Sequence, residues 1–437
     1  MTSRRKWTRR ILFAVLVIAV TYVAARLVGG AISSARLEAE LEKARATGAP
    51  LTLADAFPAT VPDALNAAAL LEQAFLLLPD DSEEPYVHWE ELQEDARAMP
   101  EDAAQLFRAW VEKNETALAR VEEAVRLPHC LFDRDIEKGW GYDVDHVPGI
   151  QSASRALSAR GYLQIRDGDV DAALATSASL IRLGRRVRDF PSLIDVLVGM
   201  GVEDVGSLVS RQALSSGAPS QAAVLSLLEV VAALPSEETL VPVFTFERAL
   251  GIWSFERVVD VGIEVDRDEF ESPILGFLLP TTARRMDQAR FLSLMARSLE
   301  LASLPHGDAK EGWRALESEI KERPWYDRYA RAVVIVNPIA LRAWEVYRAR
   351  VDLMRIALCV ELHELREGGL PETLVGLEIP GGSQDRFRDA PYVYRKEADG
   401  GFILYSVGPN GADEGGHETD NPREDGDVVL RRAARKP

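Results

Sequence analysis

GYLQIRDGDVDAALATSASL, residues 161–180, is the stretch whose reading decides the fold. Apolar residues recur at helical spacing on both sides of the turn RDGD, residues 166–169. Helix therefore runs from Ile150 to about Arg166 and resumes from Val170 to Arg188. Moving outward, DFPS at 189–192 breaks the pattern again, and Leu193–Ser215 forms a third helix. Pro219–Leu234 and Glu237 to about Val259 follow in the same manner. Upstream, PEDAAQLFRAWVEKNETALARVEEAVRL sets Leu106, Trp110, Ala117, Val121 and Val125 on one stripe of an amphipathic helix. Ala64–Leu78 reads as a helix closed by Pro79. Downstream, TTARRMDQARFLSLMARSLELASLP is a further helix with Thr281 or Thr282 as N-cap. Ile339–Arg366 is a long helix with Trp344, Tyr347, Val351, Met354, Leu358, Leu362 and Leu365 on one face. The chain is mainly α, with the helices joined by short turns.

After Gly368 the character changes. GGLPETLVGLEIP predicts a short helix with Pro371 at its first position. PYVYRK, GFILYSV and DVVLRR are short β-rich runs separated by turn residues. The last part of the chain is thus a small α+β module introduced by the long helix.

The N-terminus supplies an address. MTSRRKWTRR carries Arg4, Arg5, Lys6, Arg9 and Arg10 with no acid, and ILFAVLVIAVTYVAA follows without a charge. Those apolar residues alone are too short for a hydrocarbon core of about 30 Å. If Arg26 snorkels, Ile11–Ile32 spans it. The first acid is Glu38, so the positive-inside rule puts the N-terminus in the cytoplasm and the bulk of the chain in the periplasm. Two readings compete: an uncleaved signal anchor in the inner membrane, and a signal peptide cleaved after Val23-Ala24-Ala25. The helical pattern running on through SSARLEAELEKARATG favours the anchor. The organisation read from sequence is a cytoplasmic tail (1–10), a membrane anchor (11–32), a stalk and linker (33–62), an α-helical domain (63–328), and the long helix with the α+β module (329–437).

Composition excludes some functions. The chain has 437 residues, 47% hydrophobic and 27% charged, with a formal net charge of −18. A nucleic-acid partner needs a basic face that this balance does not supply. Cys130 and Cys359 form no CxxC motif and read as two buried free thiols, the alternative being a single disulfide.

Two segments resemble known families. Gly161, Gly168, Asp169 and Ala173 sit at the spacings of a single tetratricopeptide-type hairpin. The ending LREGGLPETLVGL … DAPYVYRKEADGGFILYSVGPNGADEGG … DGDVVLR resembles the globular domain of the type II secretion major pseudopilin. That resemblance implies a long helix, a Pro-initiated short helix, a small antiparallel sheet and a calcium-binding loop. This chain departs from the family at Asn410, where the family's loop has Asp, and it lacks a prepilin cleavage site beside its membrane helix. The whole arrangement also resembles a broad set of uncharacterised membrane-anchored envelope proteins of Gram-negative bacteria, for which no activity is implied.

The loop after GFILYSV is the main chemical candidate. Calcium takes six to eight oxygens from carboxylates, amides and carbonyls on a flexible loop. Asn410, Asp413, Asp420, Asp425 and Asp427 can supply side-chain oxygens, and Leu404 or Ser406 backbone carbonyls. Such a Ca2+ ion would be structural; the competing reading is a solvated acidic loop. A second candidate is the irregular stretch 128–149, where His129, Asp133, Asp135, Asp143, Asp145 and His146 are the residues of a zinc site or an acid–base pair in an envelope hydrolase. Their spacing matches no metal-ligand motif. ELHEL at 361–365 is not HExxH, and His363 reads as the polar face of its helix. ILGFLL at 274–279 reads as an apolar loop, either a contact surface or buried under helices. No nucleophile elbow, P-loop or dinucleotide fingerprint occurs. The function expected is therefore that of a membrane-anchored interaction or scaffold protein in an envelope or secretion assembly, with protein partners and no enzymatic activity.

Overall fold

The computed structural model describes residues 2–78, 95–135, 138–139, 144–234, 238–257, 280–322, 330, 334, 336–417 and 426–435. The helices are α1 (Thr2–Ala46), α2 (Leu53–Ala56), α3 (Ala68–Phe75), α4 (Glu101–Ala124), α5 (His146–Arg166), α6 (Val170–Val187), α7 (Leu193–Ser216), α8 (Gln221–Ala232), α9 (Val241–Arg257), α10 (Pro280–Ala302), α11 (His306–Lys321) and α12 (Val336–Glu367). Strands β1 (Val393–Lys396), β2 (Phe402–Ser406) and β3 (Val428–Arg432) complete the chain. The fold is mainly α, as the periodicity requires, with a small sheet at the C-terminal end. The expected apolar loop at 274–279 lies outside the described residues.

The chain divides into two compact units. The first comprises residues 1–57, 244–303 and 311–338. In it α1 packs along α10. Its core sets the Phe244 ring against Trp313 and the Phe255 ring against Phe291, both pairs tilted, with ring centroids 6.2 and 5.6 Å apart. Gly251 lets the Phe291 ring lie against the α9 backbone, since a Cβ there would fall 2.1 Å from the ring. From Trp7 to Ile32 α1 exposes its large apolar side chains. It is long and apolar enough to cross a membrane.

The second unit comprises residues 58–243, 304–310 and 339–437. Its heart is the run α5, α6 and α7 around residues 161–180, with α6 packed on both of its chain neighbours. Gly168 at φ +82° turns the chain, and the Asp169 carboxylate accepts from the Ala172 N–H at 3.1 Å, capping α6. Gly184 and Gly199 face each other: a Cβ on Gly199 would lie 2.5 Å from the Gly184 carbonyl oxygen. Small residues thus bring the two backbones together.

Several local expectations are corrected. On α4 Leu106 is exposed, and Phe107 takes its place in the buried stripe with Trp110, Ala117 and Val121. The helix expected over 64–78 is split. Asn66 accepts from the Ala68 and Leu131 N–H groups at 3.2 and 2.9 Å, which cuts a short 3₁₀ turn off α3. No helix forms at Pro371 either. Residues 372–376 are bends and a turn ending on Gly376 at φ +89°, and the Pro371 carbonyl accepts from the Tyr394 hydroxyl at 3.0 Å.

The C-terminal module is an antiparallel meander in the order β1-β2-β3, with Val393 opposite Tyr405 and Leu404 opposite Leu430. β2 is buried throughout. It packs on α12, where Ala349, Leu353, Ile356, Ala357 and Val360 meet Tyr392, Phe402, Leu404 and Val428. Cys130 and Cys359 are buried free thiols.

Candidate functional site

The loop that leaves β2 is built by glycines. Gly408, at φ +64°, passes so close to residue 426 that a Cβ would lie 2.0 Å from the Gly426 carbonyl oxygen. Its own carbonyl accepts from the Gly411 N–H at 3.1 Å, closing a turn. Gly416, at φ +81°, packs against Ile403 and Tyr405 with no room for a side chain.

The polar groups of the loop hold one another. Asn410 Oδ1 accepts from the Ala412 N–H at 2.7 Å, its Nδ2 donates to Glu414 Oε1 at 2.7 Å, and its carbonyl accepts from Lys310 Nζ at 3.1 Å. Asp413 Oδ1 accepts from the Gly415 N–H at 2.9 Å and the Tyr405 hydroxyl at 3.0 Å. The Gly415 N–H, followed by the Tyr405 hydroxyl and nearby arginines, keeps the Asp413 carboxyl below its usual range. Asp427 Oδ2 accepts from the Gly416 N–H at 2.7 Å. Asp427 is only 6% exposed, and no donor reaches its Oδ1 among the described residues. Burial and the neighbouring Glu414 carboxyl push the Asp427 carboxyl up. Asp420 and Asp425 lie outside the described residues. Among the described residues, no three His, Cys, Asp or Glu side chains are grouped so as to hold a metal ion.

Beneath the loop sits a carboxylate that sequence reasoning missed. Asp385 accepts from the Ser406 hydroxyl at 2.6 Å and from the Val407 and Phe387 N–H groups, each at 3.1 Å. It fixes the end of β2 from inside the fold. Nothing in the sequence around it, SQDRFRD, distinguishes it from a surface acid.

The 128–149 stretch is parted by the fold. The His129 backbone pairs with Leu65 and Ala67, and its side chain is exposed, as are Asp133, Asp135 and Asp145. Asp143 lies outside the described residues. Of the described candidates, His146 alone goes inward. Its Nε2 lies 2.7 Å from Asp195 Oδ1, its ring stacks on Phe132, and Arg134 donates to both Asp195 oxygens at 2.9 and 2.7 Å. Ser192 Oγ donates to Asp195 and accepts its N–H at 3.1 Å. The one legible trace of this cluster is the spacing Ser192-x-x-Asp195 at the start of a helix, a capping-box signature.

No protein-family model matches this chain, and neither does any curated protein or solved structure.

A third cluster links α6, α7 and α12. Arg188 pairs with Glu203 and Glu238, each at 3.0 Å, and the Tyr347 hydroxyl donates to Glu203. Burial pushes the Glu203 carboxyl up to about 7, against the pull of Arg188 and Tyr347. A carboxyl raised in the folded state contributes stability that is complete below its unfolded pKa of about 4.5 and is lost as pH rises through about 7. Glu203→Gln should therefore flatten the fall in stability between pH 5 and pH 8, a change of about 3 kcal/mol across the window. Urea unfolding at a series of pH values measures it, and an unchanged slope would dismiss the assignment.

Proposed function

We propose that this chain is a single-pass, membrane-anchored interaction or scaffold protein of the bacterial envelope, with its body in the periplasm and its partners in an envelope or secretion assembly. The observation that carries the reading is the exposed apolar surface of α1 from Trp7 to Ile32, entered through a run of cations. Such a surface is stable only in lipid or against a partner. The cavity lined by Ser210, Leu214, Met354, Phe402 and Leu430 holds about 10 Å³, room for a single water. The buried carboxylates of Asp195, Glu203 and Glu361 are tied into ion pairs with Arg134, Arg188 and Arg432. Alkaline carbonate extraction of expressing cells, with N-terminal sequencing of the product, tests the anchor. Retention in the membrane pellet with the N-terminus intact is expected; a soluble chain beginning at Arg26 overturns it.

We also propose a structural calcium ion at the loop after β2. Asp427 Oδ1, buried and with no donor among the described residues, beside the Glu414 carboxyl, supports it. These two side chains would hold the ion, and it would pin the loop to the sheet. A cation bound only by the folded state stabilises by about 2.7 kcal/mol at a hundredfold excess over its Kd. The full chain in detergent should melt several degrees higher in calcium than in chelator. Asp427→Asn should abolish the difference, and equal melting in both media would end the proposal.

A further inference from the structure

α1 crosses from bare to covered within its apolar stretch. From Trp7 to Thr21 every side chain is exposed. From Tyr22 onward one stripe (Tyr22, Arg26, Gly29, Gly30 and Ser33) is at least partly covered. α10 provides cover there. A Cβ on Gly29 would lie 3.4 Å from the Thr282 methyl, and Arg285 Nη1 donates to Ser34 Oγ at 2.8 Å. The large exposed apolar residues continue to Ile32, beyond Gly29.

Depth follows from helix geometry. Ile11–Ile32 is about 33 Å long, which matches a hydrocarbon core of about 30 Å. With Ile32 at the outer edge, Gly29 and its neighbour Thr282 lie about 4 Å inside that edge. Ser34 and Arg36 lie about 3 and 6 Å outside it, in the headgroup layer. Among the described residues, the cations at this level are Arg36 and Arg285, both exposed, and the half-buried Arg284. The acids nearest in sequence stand away from them: Glu38 is farther up α1, and Asp287 is buried and accepts from the Ala330 N–H at 3.0 Å.

We propose that the first turn of α10 is a second membrane contact. It seats in the outer leaflet beside α1, and Arg36, Arg284 and Arg285 bind the phosphates of anionic phospholipid headgroups. The charge is complementary, and each arginine at a membrane surface contributes about fivefold to affinity for anionic lipid. The proposal rests on the membrane-anchor reading. The first unit would then stand directly on the bilayer, not at the end of a free stalk.

Full-length chain in nanodiscs tests it, with a fluorescent label on a single introduced cysteine; the buried native thiols stay in place. The sites are Val17→Cys in the span, Ala283→Cys in the first turn of α10, and the exposed Glu300→Cys higher on α10. A nitroxide lipid with a shallow label should quench the position-283 probe severalfold more than the position-300 probe. Aqueous iodide should do the reverse. Equal iodide quenching at 283 and 300, with position 17 protected, overturns the seat and leaves the anchor standing. Iodide access at position 17 overturns both. Independently, the unlabelled chain should melt higher in an equal mixture of phosphatidylcholine and phosphatidylglycerol than in phosphatidylcholine alone. The triple variant R36Q/R284Q/R285Q should lose that difference, and a difference unchanged in the variant refutes the role of the arginines.

Discussion

Arg432→Ala should lower the stability of the chain by about 3–5 kcal/mol, the range for stripping one partner from a buried ion pair. Arg432 is on β3, and its guanidinium is buried between sheet and helix. Its Nε donates to Glu361 at 2.9 Å, and its Nη2 pairs with Glu364. Arg435 joins the same two carboxylates, and the Arg432 guanidinium lies 5.0 Å from the centre of the Phe402 ring. Glu361 has no exposed side-chain surface, and burial pushes its carboxyl up while the two arginines pull it down. Without Arg432 a buried carboxylate keeps only Arg435 against that burial. Chemical denaturation of the full chain in detergent, followed by circular dichroism, measures the loss. Hydrogen exchange should show β3 opening first. A loss below about 1 kcal/mol would mean that the cluster does not clamp the sheet to α12.

Asp195→Ala should have an effect of the same size, about 3–5 kcal/mol, in the helical layer. Asp195 is buried, and burial alone would raise its carboxyl. Hydrogen bonds from His146, Arg134 and Ser192 outweigh that and hold it below the usual range. A carboxyl depressed in the folded state contributes stability that is present above its unfolded pKa of about 3.8 and lost as pH falls through the folded value. The wild-type chain should therefore lose stability steeply below about pH 4, and Asp195→Ala should lose less over that range. The substitution leaves the Arg134 guanidinium buried over the Phe190 ring, 3.9 Å from its centroid, without its carboxylate. Parallel unfolding curves for the two proteins below pH 4 would count against this role.

The α6–α7 turn, the three strands and the apolar N-terminal helix are all legible in the sequence, because each is written in local periodicity and turn chemistry. Val170–Val187 and Leu193–Ser216 fall within a residue or so of their expected bounds. What local pattern does not carry is the choice of partner. On α4 only Leu106 is misplaced in the expected stripe, since Leu106 and Phe107 are both apolar and only the packing against neighbouring helices chooses between them. Pro371 looks like a helix start, but the Tyr394 hydroxyl takes its carbonyl. Nothing in ELHEL marks Glu361 and Glu364 as partners of a distant residue, and β3 brings Arg432 across to them from far down the chain. In the candidate loop the glycines mark the turns plainly. Asp385, which anchors the loop from below, is invisible because its donors are mostly backbone N–H groups that no sequence pattern encodes.

The central claim is that α1 anchors the chain and the body lies on the periplasmic side. Val375, in the C-terminal module, is 90% exposed. A Val375→Cys chain, expressed in Gram-negative cells and treated as intact spheroplasts with a membrane-impermeant maleimide, tests that claim most directly. Labelling as complete before permeabilisation as after it is the predicted result. Labelling only after permeabilisation would contradict it.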